Sequence, residues 1–223
     1  MKRVVLAGIL VAAALSRAGA HGLASTPTWN REISRIVYEK CASCHHPGGG
    51  AFSLVAYQDA QPRANDIKDA VLSRRMPPWG AVKGFGSFRN DQSLTEEQIE
   101  LVRRWVDGGI RRGNNPQMLP PSPSFEATVP FRAPAGTLQI SGPSTIRERV
   151  VVEALFPEKI ANDSIRIVAQ LPDGRIEPLV WLHGYDARYA HPFVLRRPMD
   201  LPVGTRVEGV PAGSTLALIP LTR

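Results

Sequence analysis

Only two of the 223 residues are cysteine, Cys41 and Cys44. One pair excludes a disulfide framework of the kind that staples small secreted domains. It also argues against a structural zinc site, which needs about four ligands, usually from two such pairs. The chain lacks internal repeats and low-complexity tracts. Dense runs of Lys and Arg interleaved with aromatics are missing too, so no nucleic-acid partner is expected. Beyond the first 20 residues no apolar run approaches the ~20 residues that a spanning helix needs.

What is present begins with a leader. Lys2 and Arg3 precede an apolar run from Val4 to Leu15, and Ala18-Gly19-Ala20 has the small-residue form of a cleavage site. This layout predicts a secretory signal peptide over residues 1–20, hence a soluble protein in the periplasm or otherwise exported, without stable membrane insertion. No cysteine lies near the cleavage point to carry a lipid. The formal charge of +7 falls by three, to +4, once Lys2, Arg3 and Arg17 leave with the leader. That modest basic surplus reads first as an ordinary solvated surface, and otherwise as an aid to docking with acidic redox partners.

Three helices are predicted next. Ile33, Ile36 and Val37 recur at helical spacing in a stretch from Trp29 to Lys40 that runs directly into Cys41. A second stretch, residues 60–75, places Ala64, Ile67, Val71 and Leu72 on one face. Pro62 sits in its first turn, and Pro77 and Pro78 force it to stop before Met76. A third helix is capped by Ser93 or Thr95, has Glu96 and Glu97 at the positive end of its dipole, and ends at Gly108-Gly109. Its apolar stripe is Ile99, Val102, Trp105 and Val106.

Prolines then crowd residues 114–134, which neither a helix nor a central strand accepts, so this stretch reads as a linker. From residue 135 to 223 the pattern becomes short runs rich in Val, Ile, Leu and Thr, separated by turn signals. Six or seven strands in an antiparallel sandwich are predicted, with Pro172-Asp173-Gly174 as a hairpin turn. The expected class is α + β in two domains: a small all-α unit over residues 28–113 and a β-sandwich over 135–223.

The chemistry is concentrated in CASCHHPGGG, residues 41–50. A thioredoxin-like dithiol is one reading, but that motif belongs after a strand, and here a helix leads in. The other reading is C-x-x-C-H, the signature of covalent haem attachment. Two thiols at this spacing form thioethers on one side of the macrocycle, and the following imidazole, His45, becomes the proximal iron ligand. An export signal and two flanking helices fit the second reading. The mature chain offers three methionines as a sixth ligand: Met118 in the linker, Met199 among the strands and Met76 between the second and third helices. Met76 is the expected distal ligand, since thioether sulfur suits low-spin iron and raises its potential. His46, directly after the proximal ligand, is expected to make a surface or propionate contact. Arg74, Arg75 and Trp79 are candidate propionate donors, while Tyr38, Phe52, Leu54, Val71, Trp105 and Val106 are expected to line the haem.

The segments CASCHHPGGGAFSL, RRMPPWG and NDQSLTEEQIELVRRWVDGG, with their spacing, resemble the monohaem cytochrome c domains of exported bacterial proteins. In those proteins the haem domain precedes a β-sandwich related to copper-dependent, ascorbate-dependent monooxygenases. The likeness covers Thr28 to Gly113, and it implies the same roles for Cys41, Cys44, His45 and Met76. Residues 171–210 are similar to the C-terminal part of those sandwiches, but the histidine pair and His-x-His element of copper-binding members are missing. His183 and His191 are the only histidines there, so no copper is expected. The resulting expectation is one covalent haem c and one-electron transfer, with the sandwich as a docking module. A haem-linked copper monooxygenase-like enzyme and a haem-based sensor of small ligands are the alternatives.

Overall fold

The computed structural model describes residues 25–125, 131–162 and 164–221. The expected leader, and residues 126–130 of the expected linker, lie outside the described residues. The chain is of mixed α and β class, with a few short helices followed by two antiparallel sheets. Among the described residues no helix is long and apolar enough to cross a membrane.

A π-helical stretch, Trp29–Ile33, continues into α1, Ser34–Lys40. In place of the predicted helix over residues 60–75 the chain forms α2, Tyr57–Ala60, which starts earlier, a 3-10 turn, Gln61–Arg63, and α3, Ala64–Leu72, which stops three residues sooner. Pro62 accounts for the tightened middle, because it lacks the N–H that a continuous α-helix needs there. Leu72, predicted on the apolar face, is exposed in the last turn. Helix α4, Glu96–Asp107, follows its sequence signals closely. Thr95 accepts from the Gln98 amide, while the Gln98 side chain accepts from the Thr95 amide, a reciprocal cap worth about 1 kcal/mol. Ile99, Val102, Trp105 and Val106 are all buried. They join Trp29, Ile33, Val37 and Leu54 in one apolar cluster, where the Trp29 and Trp105 rings lie 6.1 Å apart.

Eight strands follow: β1 Leu138–Ile140, β2 Ser144–Thr145, β3 Val150–Lys159, β4 Ser164–Gln170, β5 Ile176–His183, β6 Phe193–Leu201, β7 Arg206–Glu208 and β8 Thr215–Pro220. They form sheets of order β1-β8-β3-β6 and β2-β7-β4-β5. The β4–β5 hairpin closes where expected, with the Gly174 amide donating to the Leu171 carbonyl at 2.9 Å. Inward residues of both sheets share a second apolar cluster, including Leu155, Ile167, Leu179, Phe193 and Leu218.

One segment departs from the sequence order. Residues 79–90, expected within the unit 28–113, pack with the sheets, and Trp79 and Phe88 belong to the sheet cluster. Backbone bonds tie the segment to β5, from the Val82 amide to the Trp181 carbonyl and from the His183 amide to the Gly80 carbonyl, both 2.8 Å. Matching bonds tie it to β6, from the Arg89 amide to the Val194 carbonyl and from the Arg196 amide to the Ser87 carbonyl, again 2.8 Å. Each of these strands is the last in its sheet. Its unpaired backbone groups need partners, and this segment supplies them.

Candidate functional site

Helix α1 delivers the cysteine pair. The Cys41 amide still donates to the Val37 carbonyl at 2.9 Å, so the motif begins as a continuation of the helix. The Cys44 and His45 amides both turn back to the Cys41 carbonyl, at 3.2 and 3.0 Å. One turn therefore holds both thiols and the imidazole. The chain then doubles back, with the Ala51 amide donating to the Cys44 carbonyl and the Leu54 amide to the His45 carbonyl. A Cβ on Gly49 would come within 2.5 Å of the Cys44 carbonyl and 2.9 Å of the His46 ring, so this loop has no room for a side chain there.

His45 is oriented by a carbonyl. Its Nδ1 lies 2.9 Å from the Phe52 oxygen. A carbonyl only accepts, so Nδ1 is the donor, and the neutral tautomer that fits this bond has its lone pair on Nε2. The Phe52 ring lies 4.8 Å away at 60°, and the Arg63 guanidinium sits 3.9 Å above that ring. Sequence reasoning anticipated the ring but not the carbonyl or Arg63; a backbone acceptor leaves no trace in residue identity. Phe52 remains half exposed.

The two thiols differ. Cys44 is exposed and Cys41 half-buried. Burial pushes the Cys41 thiol up to about 12, with the neighbouring Cys44 adding to the rise. Such a thiol stays protonated at neutral pH, the reverse of the lowered value that a redox dithiol uses to attack.

His46 is buried rather than on the surface. Its ring stacks on Phe125 at 4.4 Å and 10°, and Nδ1 bonds the Pro47 carbonyl. The linker thus folds back over the cysteine loop, and an apolar partner draws the imidazole inward.

Met76 follows α3 and is half-buried, its amide bonded to the Ala70 carbonyl at 3.2 Å. Arg74 and Arg75 beside it are exposed, the first paired with Glu96 and the second donating to the Ser73 hydroxyl at 3.0 Å. Trp79, expected with them as a propionate donor, is packed elsewhere. It is 4 % exposed, stacked on His191 at 5.0 Å and set edge-on to Phe193 at 4.7 Å. Its large apolar ring finds these partners in the sheet cluster.

Of the residues expected to line a cofactor, Leu54, Val71, Trp105 and Val106 lie in the helical cluster, and Tyr38 packs against it. His183 is exposed at the end of β5, whereas His191 is half-buried. Among the described residues no group of three or more His, Cys, Asp or Glu side chains is arranged to hold a metal ion. No family model, curated protein or solved structure matches the chain.

Proposed function

We propose that the chain is an exported c-type cytochrome that carries one covalently attached haem and passes single electrons between redox proteins. It is organised as a helical haem unit within residues 28–113 and a β-sandwich over 135–223, joined by 114–134. The observation that carries this reading is the His45 hydrogen bond. With Nδ1 donating to the Phe52 carbonyl, Nε2 is the free donor atom, the arrangement found at histidines that ligate metals.

The donor set fits the group. Cys41 and Cys44 lie one turn apart beside that imidazole and supply the two sulfurs for thioether links. Exposed apolar surface on Phe52 and Leu72, near His45 and Met76 in the chain, suits an apolar macrocycle. When bound, haem supplies an iron that alternates between ferrous and ferric states, with a potential set by its axial ligands. The chain's own residues do the rest. Cys41 and Cys44 fix the group in place, His45 presents Nε2, Met76 offers a thioether, and Arg74 and Arg75 supply positive charge for propionates. The helical cluster around Trp29 and Trp105, against which Cys41 packs, would exclude water beside the attachment point.

The test is the intact mass and absorption spectrum of the exported protein, made alongside the cytochrome c assembly machinery. One added haem per chain and sharp low-spin ferrous bands are expected. Substituting Met76→Ala leaves the haem attached and removes the weak far-red ferric band that marks sulfur on iron. A polypeptide with both thiols free, or joined to each other, refutes the reading.

A further inference from the structure

We infer that the two sheets act as a clamp on the loop that bears Met76, so that the sandwich sets how firmly the thioether is presented. This rests on the haem function proposed above. Only Pro77 and Pro78 separate Met76 from Trp79, the first side chain of the loop to enter the sheet cluster. From there to Asn90 the segment is fastened to both sheets at once. Its backbone pairs with β5 and with β6 through the four bonds described above, and Asn90 adds two more: its side chain donates to the Pro192 carbonyl at 2.8 Å and accepts from the Val194 amide at 3.0 Å. Trp79 is gripped by His191, Phe193 and Phe88. At Gly86, where φ is +80°, a Cβ would fall 2.5 Å from the Leu179 carbonyl, so the segment lies directly against β5.

On its other side the Met76 loop returns to α3 through the Arg75 and Met76 amides, both bonded to the Ala70 carbonyl, and residues 72–75 are solvent-exposed, with Arg74 tied to α4 by the exposed ion pair to Glu96. The rigid anchor is therefore the sheet side. A loop held at one end by a packed core spends less time away from its bound position, and an outside ligand competing for that position must overcome this bias. Trp79 is accordingly a positioning residue.

The experiment uses the full-length haem-loaded protein, with imidazole as the competing ligand and the far-red sulfur–iron band as the second readout. Trp79→Ala and Gly86→Ala should tighten imidazole binding by about tenfold or more, equivalent to roughly 1.4 kcal/mol of lost closure, and weaken the band. Asn90→Ala, which removes two hydrogen bonds and leaves the core intact, should move both in the same direction by less. Trp79→Phe should restore most of the wild-type behaviour. Val207→Ala, which hollows the sheet cluster on β7 away from the segment, should leave both unchanged. Folded Trp79→Ala, Gly86→Ala and Asn90→Ala proteins with wild-type imidazole affinity would overturn the clamp, as would an equal shift in Val207→Ala. If Trp79→Ala or Gly86→Ala does not fold, Asn90→Ala decides. Met76→Ala separates the two levels: if it leaves the band unchanged, the ligand assignment fails; if it abolishes the band while the loop variants do nothing, only the clamp fails.

Discussion

Phe88→Ala should destabilise the sheets, although residue 88 precedes the first strand by 50 residues. Phe88 is 7 % exposed, packed 5.9 Å from Trp79 and 5.4 Å from Phe193, and its backbone bridges to Leu195 on β6. A buried phenylalanine removes about 150–200 Å² from water, worth about 4 kcal/mol at 25 cal/mol per Å² as an upper figure. Truncation in a core that relaxes only partly costs about 3–5 kcal/mol. For a chain of this size a loss of about 3 kcal/mol lowers the melting temperature by about 6–12 °C. The adjacent Arg89→Ala serves as the contrast. It breaks an exposed ion pair with Glu153, worth about 0.2–1 kcal/mol, and leaves the Arg89 amide bonded to Val194. Thermal unfolding followed by near-ultraviolet circular dichroism reads both. If Phe88→Ala and Arg89→Ala shift the midpoint equally, or neither by more than about 2 °C, the segment is not part of the sheet core and the reasoning fails.

Thr95→Ala removes one half of the cap on α4 and should cost about 1 kcal/mol by chemical denaturation, while Thr95→Ser should cost little; equal losses would refute the capping role. Replacing Cys41 and Cys44 together by serine should yield exported protein without haem mass, and retention of covalent haem would show that other residues hold it. Burial lowers the His191 pKa, against a smaller opposing effect of its bond to the Tyr189 carbonyl. The unfolded chain therefore binds a proton more readily than the native one below about pH 6.5, and stability falls as pH drops from there towards the lowered native value. His191→Phe keeps a ring against Trp79 and removes the titration, so it should lose less stability than wild type between pH 7 and pH 5; parallel losses would count against the assignment.

Much of the secondary structure is readable from residue order. The cap at Thr95, the stripe through Trp105 and the glycine stop at 108 define α4 because each acts within one or two turns of the chain. The Pro172-Asp173-Gly174 turn is equally local. The strands from β3 onwards declare themselves by β-branched runs, but β2 is only two residues long and gives no alternating pattern. The placement of residues 79–90 is a different matter. The stretch GAVKGFGSFRN has neither helical nor alternating period, and its bridges to β5 and β6 involve single residues, Ala81 and Phe88. Only the ends of two finished sheets give it partners, and those sheets lie far along the chain. The candidate donors Cys41, Cys44 and His45 stand out as a spacing; the Phe52 carbonyl that orients His45, and the burial of His46 under Phe125, do not, since both depend on how the loop folds back.

The same loop geometry ranks the chemistries open to the cysteine pair. A redox dithiol works by keeping one sulfur as a stabilised thiolate, with its value lowered by a helix N-terminus or a nearby cation. Here Cys41 follows the C-terminal end of α1, the negative end of that helix, and burial moves its thiol up to about 12. Both features oppose the thiolate. A thioether carries no charge, so the same burial that penalises the anion costs a covalently bound sulfur nothing. The imidazole points the same way, for a proton fixed on Nδ1 by a backbone carbonyl is of no use to thiol exchange but is what a metal-bound histidine requires. Between thiol exchange and the proposed covalent haem, the burial of Cys41 and the hydrogen bond of His45 both speak for the haem.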